Sequence, residues 1–225
     1  MEQGFHLLKI KVGLLSVEED ARRVKAIRQS VGPDVGIFVD CNHSYHANTA
    51  VRMGRHLEEN KILFMEEPVI PEDLEGYRFV RDKLDIAIAG GEAEYTLNGF
   101  RHLIENGCID IAQPDICVTG GLSEFQRILA FAQTYSIQVI PHAWGSGIAF
   151  ATALSAIAAM PLNPHTANPV PLQNEPMIEY DRNFNPLRDE LLTEPIRVEN
   201  GKVVVPEGNG LGVDIDKSIL EKYAV

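Results

Sequence analysis

The chain has 225 residues, 45% hydrophobic and 23% charged, an ordinary mix for a folded globular chain that excludes a disordered one. Lys and Arg number 20 against 32 Asp and Glu, and the net charge of −12 excludes nonspecific nucleic-acid binding through a basic surface. Three scattered cysteines exclude a disulfide framework, no charged-then-apolar leader opens the chain, and no apolar run reaches the ~20 residues that span a bilayer, so a cytoplasmic protein with no membrane partner is expected.

In chain order, Leu7–Val12 reads as a strand. Ser16 followed by Glu19 is a capping box, after which Val17, Ala21, Val24, Ile27 and Val31 recur at helical spacing. Strands are predicted at Ile37–Asp40, Ile62–Met65 and Ile86–Ala89. Thr96 is placed to cap a helix carrying Phe100, Leu103 and Ile104, with Gly107 as its stop. A strand at Ile109–Ala112 precedes a helix presenting Leu122, Phe125, Ile128, Leu129 and Ala132. Gln138–Ile140 is a strand, Ile148–Met160 a largely buried helix, and Met177–Glu179 a seventh strand. Beyond Asp181 the pattern changes. Ile196–Val198 and Lys202–Val205 flank Asn200–Gly201, a hairpin signal, and Lys217–Tyr223 is helical.

Several strands are apolar throughout, as strands buried on both faces are. Strand–helix alternation at about 31 residues per unit implies an α/β fold built as a parallel barrel, and no glycine-rich phosphate turn supports a doubly wound sheet. The expected division is a barrel over residues 1–181 and a hairpin-plus-helix tail over 182–225 lying outside it.

Each strand ends on a polar residue: Lys9 and Lys11, Asp40 and Asn42, Glu66, Glu92, Asp115, His142 and Glu179. In a barrel those ends share the rim that carries active sites. Asp40, Glu66 and Glu92 on adjacent strands would repel one another unless a cation neutralises them. An all-oxygen set selects a hard ion, Mg²⁺ first. Lys9 and Lys11 point to one side of their strand, and two adjacent ammonium groups are expected to lower each other's pKa, leaving one as a base. Asp115 can hold the His142 imidazole in one tautomer. His6, His43, His46, His56, His102 and His165 show no comparable partner.

With these residues in hand, the runs GFHLLKIKVG, DCN, MEEP, GGE, PDICVTGG, PHAWGSG and MIEYD resemble, in order, the enolase superfamily and within it the mandelate racemase subgroup. The resemblance implies a modified (β/α)7β barrel that here lacks its first strand and the family's N-terminal α+β capping domain. The 182–225 tail would pack on that absent domain. Asp40, Glu66 and Glu92 match the Mg²⁺ ligands. Lys11 matches the base on one face of the substrate, with Lys9 its electrostatic partner. His142 with Asp115 matches the base or acid on the opposite face, and Glu179 the acid that helps hold the substrate oxygens. Asn42 and Trp144 are the expected substrate contacts.

The implied activity is Mg-dependent removal of the α-proton of a small carboxylate through an enolate, first of all dehydration of an acid sugar to a 2-keto-3-deoxy acid. Two-base racemisation or epimerisation of a 2-hydroxy acid is the alternative. A truncated barrel that self-associates without turnover is a reading of another class, and a homo-oligomer is expected. A generic metal-dependent aldolase or hydrolase would leave the Lys-x-Lys and His–Asp pairs without a joint purpose.

Overall fold

The computed structural model describes residues 4–161 and 176–224. Within them, six strands pair in parallel and in chain order: β1 (Leu7–Lys11), β2 (Gly36–Asp40), β3 (Phe64–Glu66), β4 (Ala87–Gly90), β5 (Ile111–Ala112) and β6 (Gln138–Val139). Between them run α1 (Val17–Val31), α2 (Ala47–Glu59), α3 (Leu74–Lys83), α4 (Thr96–Glu105), α5 (Ile116–Thr119) and α6 (Leu122–Thr134). After β6 come α7 (Gly147–Ala158), α8 (Pro186–Asp189), β7 (Val198–Glu199), β8 (Lys202–Val203) and α9 (Lys217–Tyr223).

Period-two alternation sorts the strand residues into two cores. Ile37, Val39, Met65 and Ile88 face the helices and are fully buried with Val24, Met53, Leu57, Phe100 and Ile128. Burial of that completeness contributes about 1.5–3 kcal/mol per large side chain. Phe38, Phe64, Ala89, Ile111 and Ile140, one from each of β2 to β5 with Ile140 just past β6, form a second cluster on the opposite face of the sheet. Phe38 and Phe64 stack with ring centroids 4.3 Å apart. Asp40 and Glu66 lie two residues beyond these rings, and the register pairs Lys11 with Asp40 and Asp40 with Glu66. The carboxylates therefore sit on an apolar floor.

The capping box of Ser16 and Glu19 is formed at α1. At α4 the cap differs from expectation: Tyr95 occupies the cap position without a side-chain bond, and Thr96 is the first helical residue. The Glu124 carboxylate on α6 accepts from Leu97 N at 2.7 Å instead, so a neighbouring helix supplies the missing acceptor. Met177–Glu179 is not a ladder-forming strand among the described residues; it is extended chain, with Met177 packed against the Phe38–Phe64 cluster. A short apolar run does not by itself distinguish a strand from other buried chain. The hairpin is present, its turn made by Asn200 (φ 51°) and Gly201 (φ 73°), and α9 spans the residues expected. The segment from α8 onward touches the barrel: Leu191 and Leu192 are buried, and Leu192 lies against Gly147 on α7.

Candidate active site

The ladder continues past the strand ends and carries the site residues with it. Val12 N donates to Asp40 O at 2.9 Å, Cys41 N to Glu66 O at 2.9 Å, Glu67 N to Ala89 O at 3.0 Å, Gln113 N to Gly90 O at 2.9 Å and Ile140 N to Ala112 O at 3.0 Å. Gly91 then turns the chain after β4 at φ 120°, where an added Cβ would strike the Phe100 ring at 2.5 Å, and Glu92 follows it into the site.

Asp40, Glu66 and Glu92 each bring one carboxylate oxygen to within 4.8 Å of the others. Asp40 and Glu66 are fully buried, and the second oxygens of Glu66 and Glu92 have no hydrogen-bond partner. Three acidic groups gathered on an apolar floor with two buried oxygens unpartnered form a donor set that fits one hard divalent cation.

Lys9 is the counter-charge within the chain. Its Nζ lies 2.5 Å from Glu66 Oε1 and 3.2 Å from Asp40 Oδ2, and it also pairs with Glu179 Oε1. The expected mutual lowering of the lysine pKa values is not what the geometry produces at Lys9. Burial pulls its pKa down, but Glu66, Glu179 and Asp40 outweigh that and hold the ammonium above its ordinary value. Lys11 is half exposed, its Nζ 2.5 Å from Asp40 Oδ2 and 2.5 Å from Asn42 Oδ1. Burial pushes the Glu66 carboxyl up to about 8 against the pull of Lys9, with Asp40 and Glu179 adding to the rise. Burial opposes ionisation of Asp40 too, yet Lys9 and Lys11 keep its pKa low.

On the other side of the cluster, His142 Nδ1 lies 2.8 Å from Asp115 Oδ2, while Nε2 faces Glu92 Oε2 at 3.4 Å and Glu179 Oε2 at 3.8 Å. Asp115 also caps α5, its Oδ1 accepting from Cys117 N at 2.7 Å. The same carboxylate is thus fixed by a helix and fixes the imidazole. Burial disfavours His142 ionisation, but the Asp115 hydrogen bond and the charges of Glu92 and Glu179 raise its pKa overall.

Nine of the ten expected residues therefore converge: Lys9, Lys11, Asp40, Asn42, Glu66, Glu92, Asp115, His142 and Glu179. Trp144 stands at the margin, 54% exposed, lining a cleft with Glu179, Phe150, Asp181, Asn185 and Arg188. Three residues at the site were not anticipated. Gln113 is buried two positions before Asp115 and lies beside Glu66, whose carboxyl it helps to hold down. Glu67 is buried, and its carboxyl is pushed up to about 8 by burial and by Glu92, Asp40 and Glu66. His43, counted as unpartnered in the sequence, has Nε2 3.0 Å from Glu67 Oε2. Alternation along β3 points Glu67 away from the face of Glu66; only its left-handed backbone, φ 43°, brings it to the site. His165 lies outside the described residues.

The family model for enolase C-terminal domain-like proteins matches residues 1–219. The chain is 40% identical over 221 residues to a D-galactarolactone cycloisomerase of Agrobacterium fabrum, covering 98% of this chain and 57% of that protein. It is 37% identical over 223 residues to an arabinonate dehydratase of Saccharolobus solfataricus, covering 99% and 56%. Among solved structures it superposes on the 3,6-anhydro-D-galactonate cycloisomerase of Zobellia galactanivorans with a TM-score of 0.89 at 43% identity, covering 99% and 59%. A racemase of Streptomyces coelicolor with bound magnesium gives 0.85 at 28% identity, covering 100% and 56%. The chain spans just over half the length of these two curated relatives. Among the described residues, no helix is long and apolar enough to cross a membrane.

Proposed function

The chain belongs to the enolase C-terminal domain-like family, and from that premise we propose that it removes the α-proton of an acid-sugar carboxylate and eliminates a β-oxygen. The observation that carries this reading is the three-carboxylate cluster flanked by Lys9 and Lys11 on one side and by the His142–Asp115 pair on the other. Asp40, Glu66 and Glu92 would hold Mg²⁺, which when bound would neutralise the cluster and draw electrons from the substrate carboxylate, acidifying the α-proton.

The residues of the chain then divide the proton work. Lys11 takes the α-proton from one face, and its electron pair becomes the Cα–Cβ double bond as the Cβ–O bond breaks. Lys9, held cationic by its carboxylate neighbours, offsets the negative charge that gathers on the substrate carboxylate. Asp115 fixes Nδ1 of His142, so Nε2 is the atom that delivers a proton to the departing oxygen. Glu179, between Lys9 and His142, fixes the position of both. If the oxygen is a free hydroxyl, water leaves and the enol becomes a 2-keto-3-deoxy acid. An oxygen in a lactone or anhydro ring stays attached through the rest of the molecule, and the product is an isomer. The names of the relatives at 40% and 43% identity favour this second substrate class alongside the first.

Incubation with Mg²⁺, a panel of aldonates, aldarates and their lactones, and D2O tests the reading by mass spectrometry. Loss of water marks dehydration, and ring opening at constant mass marks cycloisomerisation. Deuterium uptake at the α-carbon without elimination would make it a racemase. A folded, Mg²⁺-binding sample that does none of these on any member of the panel refutes the proposal.

A further inference from the structure

Beside the carboxylate cluster, Trp144, Phe150, Glu179, Asp181 and Arg188 line a cleft. It meets the site at two points. Glu179 pairs with Lys9 through one oxygen and lies 3.8 Å from His142 Nε2 through the other. Ala143 and Trp144, which follow His142 directly, line the cleft as well. Under the proposed function His142 meets the β-oxygen, so the substrate beyond Cβ enters on this side. A pocket with aromatic walls and a few fixed polar groups selects by what those groups still have to offer.

The hydrogen bonds already made define that remainder. A guanidinium has five N–H donors. In Arg188, Nε donates to Asp189 Oδ1 at 2.8 Å, Nη1 to Asp181 Oδ2 at 2.9 Å, and Nη2 to Asn183 O and, at 3.1 Å, to Asp189 Oδ2, which leaves one donor on Nη1. Gripping a carboxylate at both oxygens takes two parallel donors, and Arg188 no longer has them. Asp181 Oδ1 accepts from Asn183 N at 3.0 Å and from Asn183 Nδ2 at 2.9 Å, so with the bond from Arg188 three of its roughly four acceptor sites are taken. One donor and one acceptor remain on a bonded pair of side chains, the complement of a hydroxyl, which both donates and accepts. Among the described residues that line the cleft, Arg188 is the one cation, and Asp181 and Asp189 share its charge. Arg182 is turned onto Tyr180 instead, 5.4 Å from the ring centre. The Asp181 and Arg188 side chains are each only 13% exposed, so a second carboxylate placed here would meet Glu179 and Asp181 with little water between them.

We propose that this cleft holds the hydroxylated tail of the substrate and rejects a second carboxylate, which makes monocarboxylic sugar acids (aldonates and their ring-closed forms) the substrate class and disfavours open-chain aldarates. The inference rests on the proposed function in one respect, that the first carboxylate lies at the Asp40, Glu66 and Glu92 cluster.

Trp144 is the one tryptophan of the chain, so its emission reports on the cleft. Binding is read at low salt from the initial change in that emission when the Mg²⁺-loaded protein is mixed with D-gluconate or D-glucarate, and with D-galactonate or D-galactarate. Each aldonate is expected to bind at least fivefold more tightly than its aldarate. Asp181→Asn, which returns a second Nη1 donor to Arg188 and removes a charge, is expected to narrow that gap at least threefold. Asp34→Asn makes the same change of charge at an exposed position just before β2, at the other end of that strand from Asp40, and is expected to leave the gap as it was. Aldarates bound as tightly as aldonates, or a gap that Asp34→Asn narrows as much as Asp181→Asn does, overturn the proposal. If Asp181→Asn does not fold, Asp189→Asn, which frees Nε and one Nη2 donor of Arg188, is held to the same threshold. Emission that no sugar acid alters, in a sample that binds Mg²⁺ by calorimetry, overturns it too. Turnover is followed separately: a parent that prefers aldonates in binding yet converts none refutes the proposed function and leaves the cleft standing.

Discussion

Raising the pH of the metal-free chain from 5 to 8 should destabilise it, and Mg²⁺ should reverse the trend. Burial pushes both Glu66 and Glu67 up to about 8, well above the ordinary 4.5 of a glutamate. Between those values the folded chain binds protons that the unfolded chain has released, so stability falls as pH rises. The slope for each excess proton is about 1.4 kcal/mol per pH unit. For a chain of this size about 2–4 °C of Tm accompanies each kcal/mol, so one such group gives a fall of roughly 3–6 °C per pH unit. His142, raised despite its burial by Asp115, Glu92 and Glu179, acts in the same direction above its unfolded value. Asp40, which Lys9 and Lys11 hold low against the effect of burial, completes its titration below the window and contributes nothing to the slope. Mg²⁺ bound by Asp40, Glu66 and Glu92 needs the ionised carboxylates, so its affinity rises with pH. At a hundredfold excess over Kd the ion adds about 2.7 kcal/mol. Melts followed by circular dichroism at pH 5, 6, 7 and 8, with chelator or with excess Mg²⁺, measure both effects. A metal-free Tm that climbs with pH across this window, or a Mg²⁺ shift equal at pH 5 and pH 8, refutes the reasoning.

Glu92→Gln should weaken Mg²⁺ binding by at least a hundredfold in calorimetry, since it removes one of the three converging carboxylates; an unchanged affinity would take Glu92 out of the metal site. His142→Asn should bind Mg²⁺ like the parent yet lose elimination by about 10²–10⁴-fold, the range of a general acid, and parental turnover would place the leaving-group acid elsewhere. Gly147→Ala should destabilise the chain by about 1–3 kcal/mol, because the new Cβ would stand 2.8 Å from Leu192 Cγ and 3.1 Å from Arg188 O. An unshifted urea midpoint in that variant would show that the segment after α8 does not pack on α7 as described.

The fold and most of the site were legible because both depend on short-range rules. Apolar runs located all six ladder strands, and period two put Phe38 and Asp40, or Phe64 and Glu66, on one face of their strands. Where backbone leaves the regular alternation, those rules fail. Glu67 follows Glu66 and should point outward, but a left-handed turn returns it to the site and gives His43 a partner. The helices α2 and α3 are not among those read from the sequence: α2 follows His46, which makes no side-chain cap, whereas α3 opens on Asp73, whose carboxylate accepts from Gly76 N at 2.8 Å. The expected lowering of the Lys9 pKa is absent for another reason: Lys11 is its neighbour along the strand, but three carboxylates from β2, β3 and the segment near Glu179 surround Lys9 in space. Distances between strands decide charge balance, and a linear sequence does not contain them.

The site is uneven in a way that bears on what it can select. Two of the groups that would act at the reacting carbons are enclosed: the Lys9 side chain is 19% exposed and that of His142 13%. Lys11, at 53%, and Trp144 at the margin, at 54%, are open. Enclosed charges act in low dielectric, where their interactions with a developing negative charge are strongest. Open ones are screened by water and discriminate weakly. Under the proposed function, Lys9 and His142 would therefore fix charge stabilisation and proton delivery more firmly than the open groups fix the identity of the sugar. A hydroxyl and a ring oxygen at the β-position present the same atom to His142 Nε2, and differ only in what is attached on the open side. Under the proposed function the same enclosed groups would serve dehydration and cycloisomerisation alike. Substituting Trp144→Ala should accordingly shift preference among sugar acids while sparing Mg²⁺ affinity. A variant that loses Mg²⁺ binding instead would show that the open margin supports the enclosed cluster.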